Sequence, residues 1–362
     1  MTYIFFVQGE GRGHLTQALA LKTKLEERGH EILAVIAGPD PNHPLPAFFE
    51  EQFKNRLIRI ASPKFIVDKN GQGINMPASV IQTIIGFRRY RQSLKQIRKI
   101  VLEKNPDALI NFYEPLAGLY CRLYRDKRPL FCIGHQYFVD HPAFIFPAGR
   151  WNDRYELKFY NWLTAPRRSL KITLSFTAEN DYNRRRLIVC PPLIRENLKK
   201  QKPTRKNFIL VYLLNPGYSR EVIIWSQNNR NTKIEAFWNK PDSETTVVSP
   251  NLIFHNLHGE KFIDRLVNCA AYVSTAGFES IAEAAYLQKD ILVIPTKHHF
   301  EQRCNAADAQ RAGIASVSEN FDLSLITGGE KISHSDKAHH AFKKWVDRSG
   351  DKIIRILESR NF

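Results

Sequence analysis

The chain has 362 residues with 43% apolar and 25% charged side chains, a balance typical of a soluble globular protein long enough for two domains. No apolar run approaches the ~20 residues of a membrane span, and the five scattered cysteines include no CxxC pair, which argues for reduced thiols in a cytoplasmic protein. The net charge of +17 is uneven: residues 1–206 hold +17, residues 207–333 hold −3 and the last 29 hold +3, so the first half implies an anionic partner.

Tyr3–Val7 reads as a buried strand and not as a signal peptide. Gln8-Gly9-Glu10-Gly11-Arg12-Gly13-His14 follows, then a helix over Leu15–Arg28 ended by Gly29. A dinucleotide fingerprint would need a glycine where His14 stands. It would also need an acid after the next strand, Glu31–Ala37, where the chain has Gly38. NAD binding, and with it a dehydrogenase, is therefore disfavoured. His14 at a helix N-terminus feels the positive end of the dipole, which favours the neutral imidazole that a general base needs. The bland alternative is a helix-start histidine bonded to a nearby carbonyl.

A third strand begins at Ile58, residues 63–77 read as a loop, and Ser79–Lys104 as a long helix. Residues 81–105 hold seven basic residues and one acidic one, the pattern of a solvated face. The strand Asp107–Asn111 leads to Glu114 before Pro115, either a partner for His14 or only a dipole partner at a helix start. Pro129–Gly134 is a strand ending at His135-Gln136. His135 is a second site candidate, with a structural histidine as the equal alternative. In 144–162, Phe144, Phe146, Trp151, Tyr155, Phe159, Tyr160 and Trp162 interleave with Arg150, Arg154 and Lys158. Core packing is the first expectation for these rings and a bilayer interface the second. Nucleic acid ranks well below both, because no nucleic-acid module is present.

Leu187–Cys190 closes the first half. Residues 1–192 are expected as one domain, 193–206 as a basic linker, 207–333 as a second domain and 334–362 as a helical C-terminal segment. Strands are expected at Phe208–Leu213, Lys233–Trp238, Asn251–Phe254, Ala270–Val273, Ile291–Ile294 and Ile314–Val317, with a closing helix over Ser335–Leu357. The histidine pairs lack an arranged set of partners, so no metal is expected. The most informative stretch is 268–307. Ser274-Thr275-Ala276-Gly277 joins a strand to a helix through small residues, and such a helix start is a seat for phosphate. Glu283 lies two turns in, where it could reach a ribose. Glu301, Gln302 and Asn305 follow the next strand, on the ligand side of an open sheet.

This stretch resembles the donor-binding signature of the GT-B glycosyltransferases, both the UDP-glycosyltransferases and the bacterial enzyme that adds N-acetylglucosamine to lipid-linked muramyl-peptide. Thr275 stands where a phosphate-binding His is usual. Gly277 and Ser280 match their Gly and Ser, Glu283 their ribose-holding Glu, Glu301-Gln302 their sugar-reading pair, and Asn305 an Asn just beyond. Glu279 stands where an Asn is usual, an acid beside the place of a diphosphate. The Gly11-Arg12-Gly13-His14 loop resembles the first loop of the acceptor domain, which carries the reactive His. An acid at the position of Glu114 is frequent there.

The resemblance implies an α/β fold of two Rossmann-like domains facing across a cleft, with the C-terminal helix crossing back to the first. It implies a metal-independent, inverting glycosyltransferase without a cofactor. A UDP- or dTDP-sugar would lie on Ser274, Thr275, Ala276, Gly277 and Phe278, with Phe254, Asn256 and Leu257 lining the base. The acceptor, anionic or lipid-linked, would face Gly11, Gly13 and His14 in cell-envelope or secondary-metabolite glycosylation. The place expected is the cytoplasm or the inner face of the cell membrane, in contact with an anionic surface. A sugar-nucleotide epimerase and a non-catalytic nucleotide-sugar binder remain the alternatives.

Overall fold

The computed structural model describes residues 1–9, 11–39, 45–63, 85–149, 151–213, 216–238, 244–297, 299–327 and 335–359. The expected loop 63–77 lies outside them from residue 64, as do Glu10, Arg150, the first residues of the expected helix at Ser79 and Leu214-Asn215.

Two seven-stranded sheets organise the chain. The first contains β1 (Thr2–Gln8), β2 (Glu31–Gly38), β3 (Leu57–Arg59), β4 (Ala108–Phe112), β5 (Leu130–Ile133), β6 (Leu170–Leu174) and β7 (Leu187–Cys190), in the order 3-2-1-4-5-6-7. All its pairs are parallel. The second contains β8 (Lys206–Leu213), β9 (Ile234–Trp238), β10 (Thr245–Ser249), β11 (Leu252–Asn256), β12 (Cys269–Ser274), β13 (Asp290–Val293) and β14 (Ser316–Val317). Its order is 10-11-9-8-12-13-14, and only the edge pair β10–β11 is antiparallel.

Parallel strands covered on both faces must be apolar throughout. β1 meets that demand: Tyr3, Ile4, Phe5, Phe6 and Val7 are fully buried. Their side chains alternate between layers. Tyr3, Phe5 and Val7 join one apolar cluster, while Ile4 and Phe6 join another on the opposite face. Helices Phe87–Lys104, Pro115–Leu123 and Trp151–Thr164 supply residues that cover this second face.

The first cluster does not stop at the domain border. It runs from β1 through Leu193, Ile194 and Leu198 to Phe278 and Phe342. Residues 193–206 thus include buried anchors and a short helix, Glu196–Lys199. After the second domain, the C-terminal helices return to the first. Lys352 Nζ donates to Val189 O at 2.9 Å and pairs with Asp181 at 2.8 Å. Tyr3 Oη donates to Leu357 O at 3.2 Å, and Trp345 Nε1 to Ser175 O at 3.2 Å.

In each sheet the strand order reverses beside the first strand of the domain, between β1 and β4 and between β8 and β12. Ligands of open α/β sheets bind at such switch points, beyond the carboxyl ends of the strands. The loop carrying His14 and the turn Ser274–Gly277 occupy these two positions, and they face each other.

Candidate active site

The first wall is the turn from β1 into helix Gly13–Glu27. Gly11 has φ +73°, a left-handed conformation that suits glycine. A Cβ at Gly13 would lie 2.5 Å from Glu279 Oε2, which reaches across from the second domain, so a larger residue there would push that carboxyl group aside. His14 follows in the first helical turn, buried and stacked on Tyr113 at 5.4 Å. Tyr113 itself has φ +64°, a strained conformation for an aromatic residue and one frequent at functional sites.

Both ring nitrogens of His14 meet glutamines. Nδ1 lies 3.2 Å from Gln17 Oε1 and Nε2 lies 3.2 Å from Gln136 Nε2. Each glutamine also bonds a glutamate of the other domain: Gln17 Nε2 donates to Glu279 Oε1, and Gln136 Nε2 donates to Glu301 Oε1 at 2.9 Å. In both bonds a glutamate oxygen accepts, as a carboxylate or as the carbonyl oxygen of the acid, and this sets which end of each amide faces it. Gln17 must then turn its oxygen to His14, and Gln136 its NH2 group. The imidazole consistent with both is neutral, protonated on Nδ1, with the Nε2 lone pair accepting. Burial lowers the His14 pKa, opposed in part by the Glu301 charge and the Gln17 bond. The neutral base thus follows from the bonding pattern and from desolvation independently.

Glu114 takes another place. Its carboxylate caps helix Pro115–Leu123 by accepting from Leu116 N at 3.1 Å, and it also accepts from Ser62 Oγ. The two ring nitrogens of His14 are occupied by the glutamines, and a helix cap holds the Glu114 carboxylate in the Ser62 and Gly38 corner. His135 goes into the interface between the domains. Its Nδ1 bonds Leu174 O at 2.7 Å, its ring stacks on Phe278 at 4.1 Å, and Nε2 faces Asp308 at 3.7 Å.

The second wall is the turn Ser274–Gly277, with Gly277 capping helix Phe278–Tyr286. Asn305 Nδ2 donates to Ala276 O at 3.0 Å and so fixes the turn. Ser280 Oγ donates to Gly277 O at 3.2 Å. Gln302 Oε1 accepts from Thr296 N at 2.8 Å and steadies the loop after β13. Glu283 is buried, and both its oxygens are held by Arg195, each at 2.6 Å. Phe254 is a core residue stacked on Trp238 at 4.2 Å, while Asn256 Oδ1 accepts from Leu257 N at 2.8 Å.

Glu279 lies between the two helix N-termini. Two positive dipole ends would lower its pKa. Burial wins, aided by the Glu283 and Glu301 charges, and pushes it to about 7 against the opposing bond from Gln17. Arg12, one residue before helix Gly13–Glu27, stands over the Phe48 ring at 5.8 Å within electrostatic reach of Tyr212 of the second domain. Among the described residues it makes no ion pair. No group of three or more His, Cys, Asp or Glu among them could hold a metal ion.

The glycosyl transferase family 1 model matches residues 1–328. The chain belongs to that family. It is a glycosyltransferase, and solved structures share its two-domain GT-B architecture. The glycotransferase of kitacinnamycin is 16% identical, with 98% of each chain covered and a TM-score of 0.65. Spinosyn rhamnosyltransferase SpnG complexed with thymidine diphosphate is 14% identical over 99% of this chain and 100% of that one, with a TM-score of 0.63. UGT2 of Phytolacca americana, complexed with UDP-2fluoro-glucose and pterostilbene, is 12% identical over 96% and 94%, again with a TM-score of 0.63. No curated protein matches.

Reading the sequence for site residues passed over Gln17, Gln136, Tyr113, Arg12 and Arg195. Gln17 had a local signal, since residues three apart on a helix share a face with His14. Gln136 had one too, as the neighbour of His135 at a strand end. Arg195 had none: its partner Glu283 is 88 positions away.

Proposed function

We propose that the chain transfers a sugar from a nucleotide diphosphate sugar to a hydroxyl acceptor, with inversion at the anomeric carbon and without a metal. The observation that carries this reading is the bonding of His14, a buried neutral imidazole with its Nε2 lone pair turned into the contact between the two switch points. The acceptor oxygen attacks the anomeric carbon as its proton passes to His14 Nε2, and the bond from that carbon to the diphosphate breaks. The departing charge meets the N-terminus of helix Phe278–Tyr286 and the Arg12 guanidinium.

Binding of donor and acceptor exchanges bonds the protein now makes to itself. The Gln136 amide releases both His14 Nε2, whose lone pair is then free for the acceptor proton, and Glu301, and it and Glu301 take sugar and acceptor hydroxyls. Gln302 and Asn305 hold the loops that present these groups. Glu283 reads the ribose with the lone pairs that Arg195 leaves free, and Arg195, which orients the carboxylate, enters the donor site with it. UDP and dTDP are the favoured carriers. Similar structures hold thymidine diphosphate and UDP-2fluoro-glucose, which supports that choice.

A thermal-shift screen of UDP-, dTDP- and GDP-sugars tests the reading, because a donor that binds only the folded state raises the melting temperature. A rise with one carrier that Glu283→Gln weakens is expected, with turnover unaffected by EDTA. No shift with any sugar nucleotide would end the donor assignment. Sugar epimerisation without an acceptor would replace transfer by the epimerase reading.

A further inference from the structure

We propose that helix Trp151–Thr164 docks the protein on an anionic bilayer. Core packing was the first expectation for the rings of this segment, yet Trp151, Tyr155, Phe159 and Trp162 are 74%, 67%, 60% and 56% exposed. At 3.6 residues per turn these four positions fall within an arc of roughly 80°. Leu157, Asn161 and Thr164 are buried on the opposite side of the helix, where it packs on its own domain. Leu123, at the end of the adjacent helix Pro115–Leu123, and Ile145, six residues before Trp151, are exposed as well. Arg122 lies over the Trp162 ring at 4.4 Å, and Arg154 and Lys158 flank Phe146 at 5.0 and 5.4 Å.

Trp and Tyr with Arg and Lys beside them are the composition of a membrane interface, where a ring sits among headgroups and a cation meets lipid phosphate. On the same side of the sheet, beyond helix Pro115–Leu123, helix Phe87–Lys104 turns Arg91, Lys95, Arg98 and Lys99 to solvent. A second copy of the chain is a poorer occupant. Apposing this face with itself would bring two strongly basic surfaces together, whereas an anionic leaflet complements them.

The same helix lines the candidate site with its inner side. The Tyr160 ring packs on Tyr113 at 5.1 Å, on which His14 stacks. Asn161 accepts from Tyr113 Oη at 2.7 Å and donates to Gln136 O at 2.8 Å. One helix therefore carries the docking face outward and a wall of the site inward. Resting on the reading of His14 given above, the acceptor class this favours is an amphiphile whose hydroxyl head reaches the cleft from the leaflet.

The test is cosedimentation of the full chain with phosphatidylcholine vesicles, with and without phosphatidylglycerol. Binding is expected only with the anionic lipid, with a blue shift of tryptophan emission and loss at high salt. The double variant Trp151→Ser, Phe159→Ser should bind about tenfold or more weakly while keeping its sugar-nucleotide thermal shift. Absence of wild-type binding at low salt would overturn the proposal, as would a variant that binds equally well. So would a self-associating wild type whose dimer the variant dissolves. Vesicle binding without any sugar-nucleotide shift would instead leave the docking face standing and remove the donor reading.

Discussion

The two switch points are the same element of fold used for opposite chemistry. Each is a turn from a central strand into a helix, and each helix start offers backbone N–H groups. The first carries His14, whose burial lowers its pKa, and the second carries Glu279, whose burial raises its pKa to about 7. Desolvation is the largest cause in both, and it pushes a base and an acid alike toward neutrality. The position in the fold supplies the helix end, and burial decides the charge. Gln17 joins them, with its oxygen on His14 and its nitrogen on Glu279.

The largest expected effect breaks the comparison on the first side. His14→Ala should lower turnover by about 10²–10⁴-fold, the usual contribution of a general base, while sugar-nucleotide binding measured by thermal shift is kept. An active variant would assign the proton transfer to some other group.

The second effect concerns stability on the other side. Glu283→Ala leaves the Arg195 guanidinium without its bidentate partner in a largely buried place. Breaking such a pair costs about 3–5 kcal/mol, and replacing both partners by apolar groups recovers much of it. The melting temperature of Glu283→Ala should fall by several degrees and that of Arg195→Met, Glu283→Leu much less. Equal losses in both variants would show that packing, and not the unpaired charge, sets the cost.

How far the sequence reveals these features follows from their physics. Central strands such as β1 and β12 are legible because a parallel strand buried on both faces must be apolar along its length. β10 is not, because Thr245–Ser249 is an exposed edge whose pairing with β11 leaves no apolar run. β6, Leu170–Leu174, does not stand out because Lys171 and Thr173 interrupt its apolar residues and leave no continuous apolar run. His14 and the Ser274–Gly277 turn could be found because the chemistry sits in a local pattern. The Arg195–Glu283 and Gln17–Glu279 pairs could not, since 88 and 262 positions separate the partners. The rings at 151, 155, 159 and 162 show a further limit. A helical stripe marks one face of a helix but not whether that face looks inward or outward.

A smaller effect sharpens the link between the two sides. Gln17→Leu removes the acceptor of the His14 Nδ1 proton and should lower turnover by about tenfold to a hundredfold, less than loss of the base itself. The Gln17 bond raises the His14 pKa, so its removal should move the acidic limb of the pH–rate profile to lower pH. An unmoved limb with reduced turnover would make Gln17 a packing residue only.

The smallest effect isolates Glu279. Its folded pKa, about 7, lies above the ~4.3 of an unfolded glutamate. Between these values the native state keeps a proton that the unfolded state has released. The stability from this group is therefore fully present below the unfolded pKa and is lost as pH rises through about 7. His14 has the opposite sign, since its folded pKa is lowered and its contribution grows with pH. The two partly cancel in wild-type melting curves, so the difference between wild type and Glu279→Gln is the quantity to measure. From about pH 5 to about pH 8 the wild type should lose stability relative to the variant. The same proton should appear on donor binding. A diphosphate beside Glu279 favours its neutral form, so binding near neutral pH should take up a proton in the wild type, and calorimetry in buffers of different ionisation enthalpy can count it. Parallel melting curves and no uptake would mean that Glu279 stays ionised between the two helix ends. It would then occupy the anion seat as a carboxylate, and the donor would have to displace it.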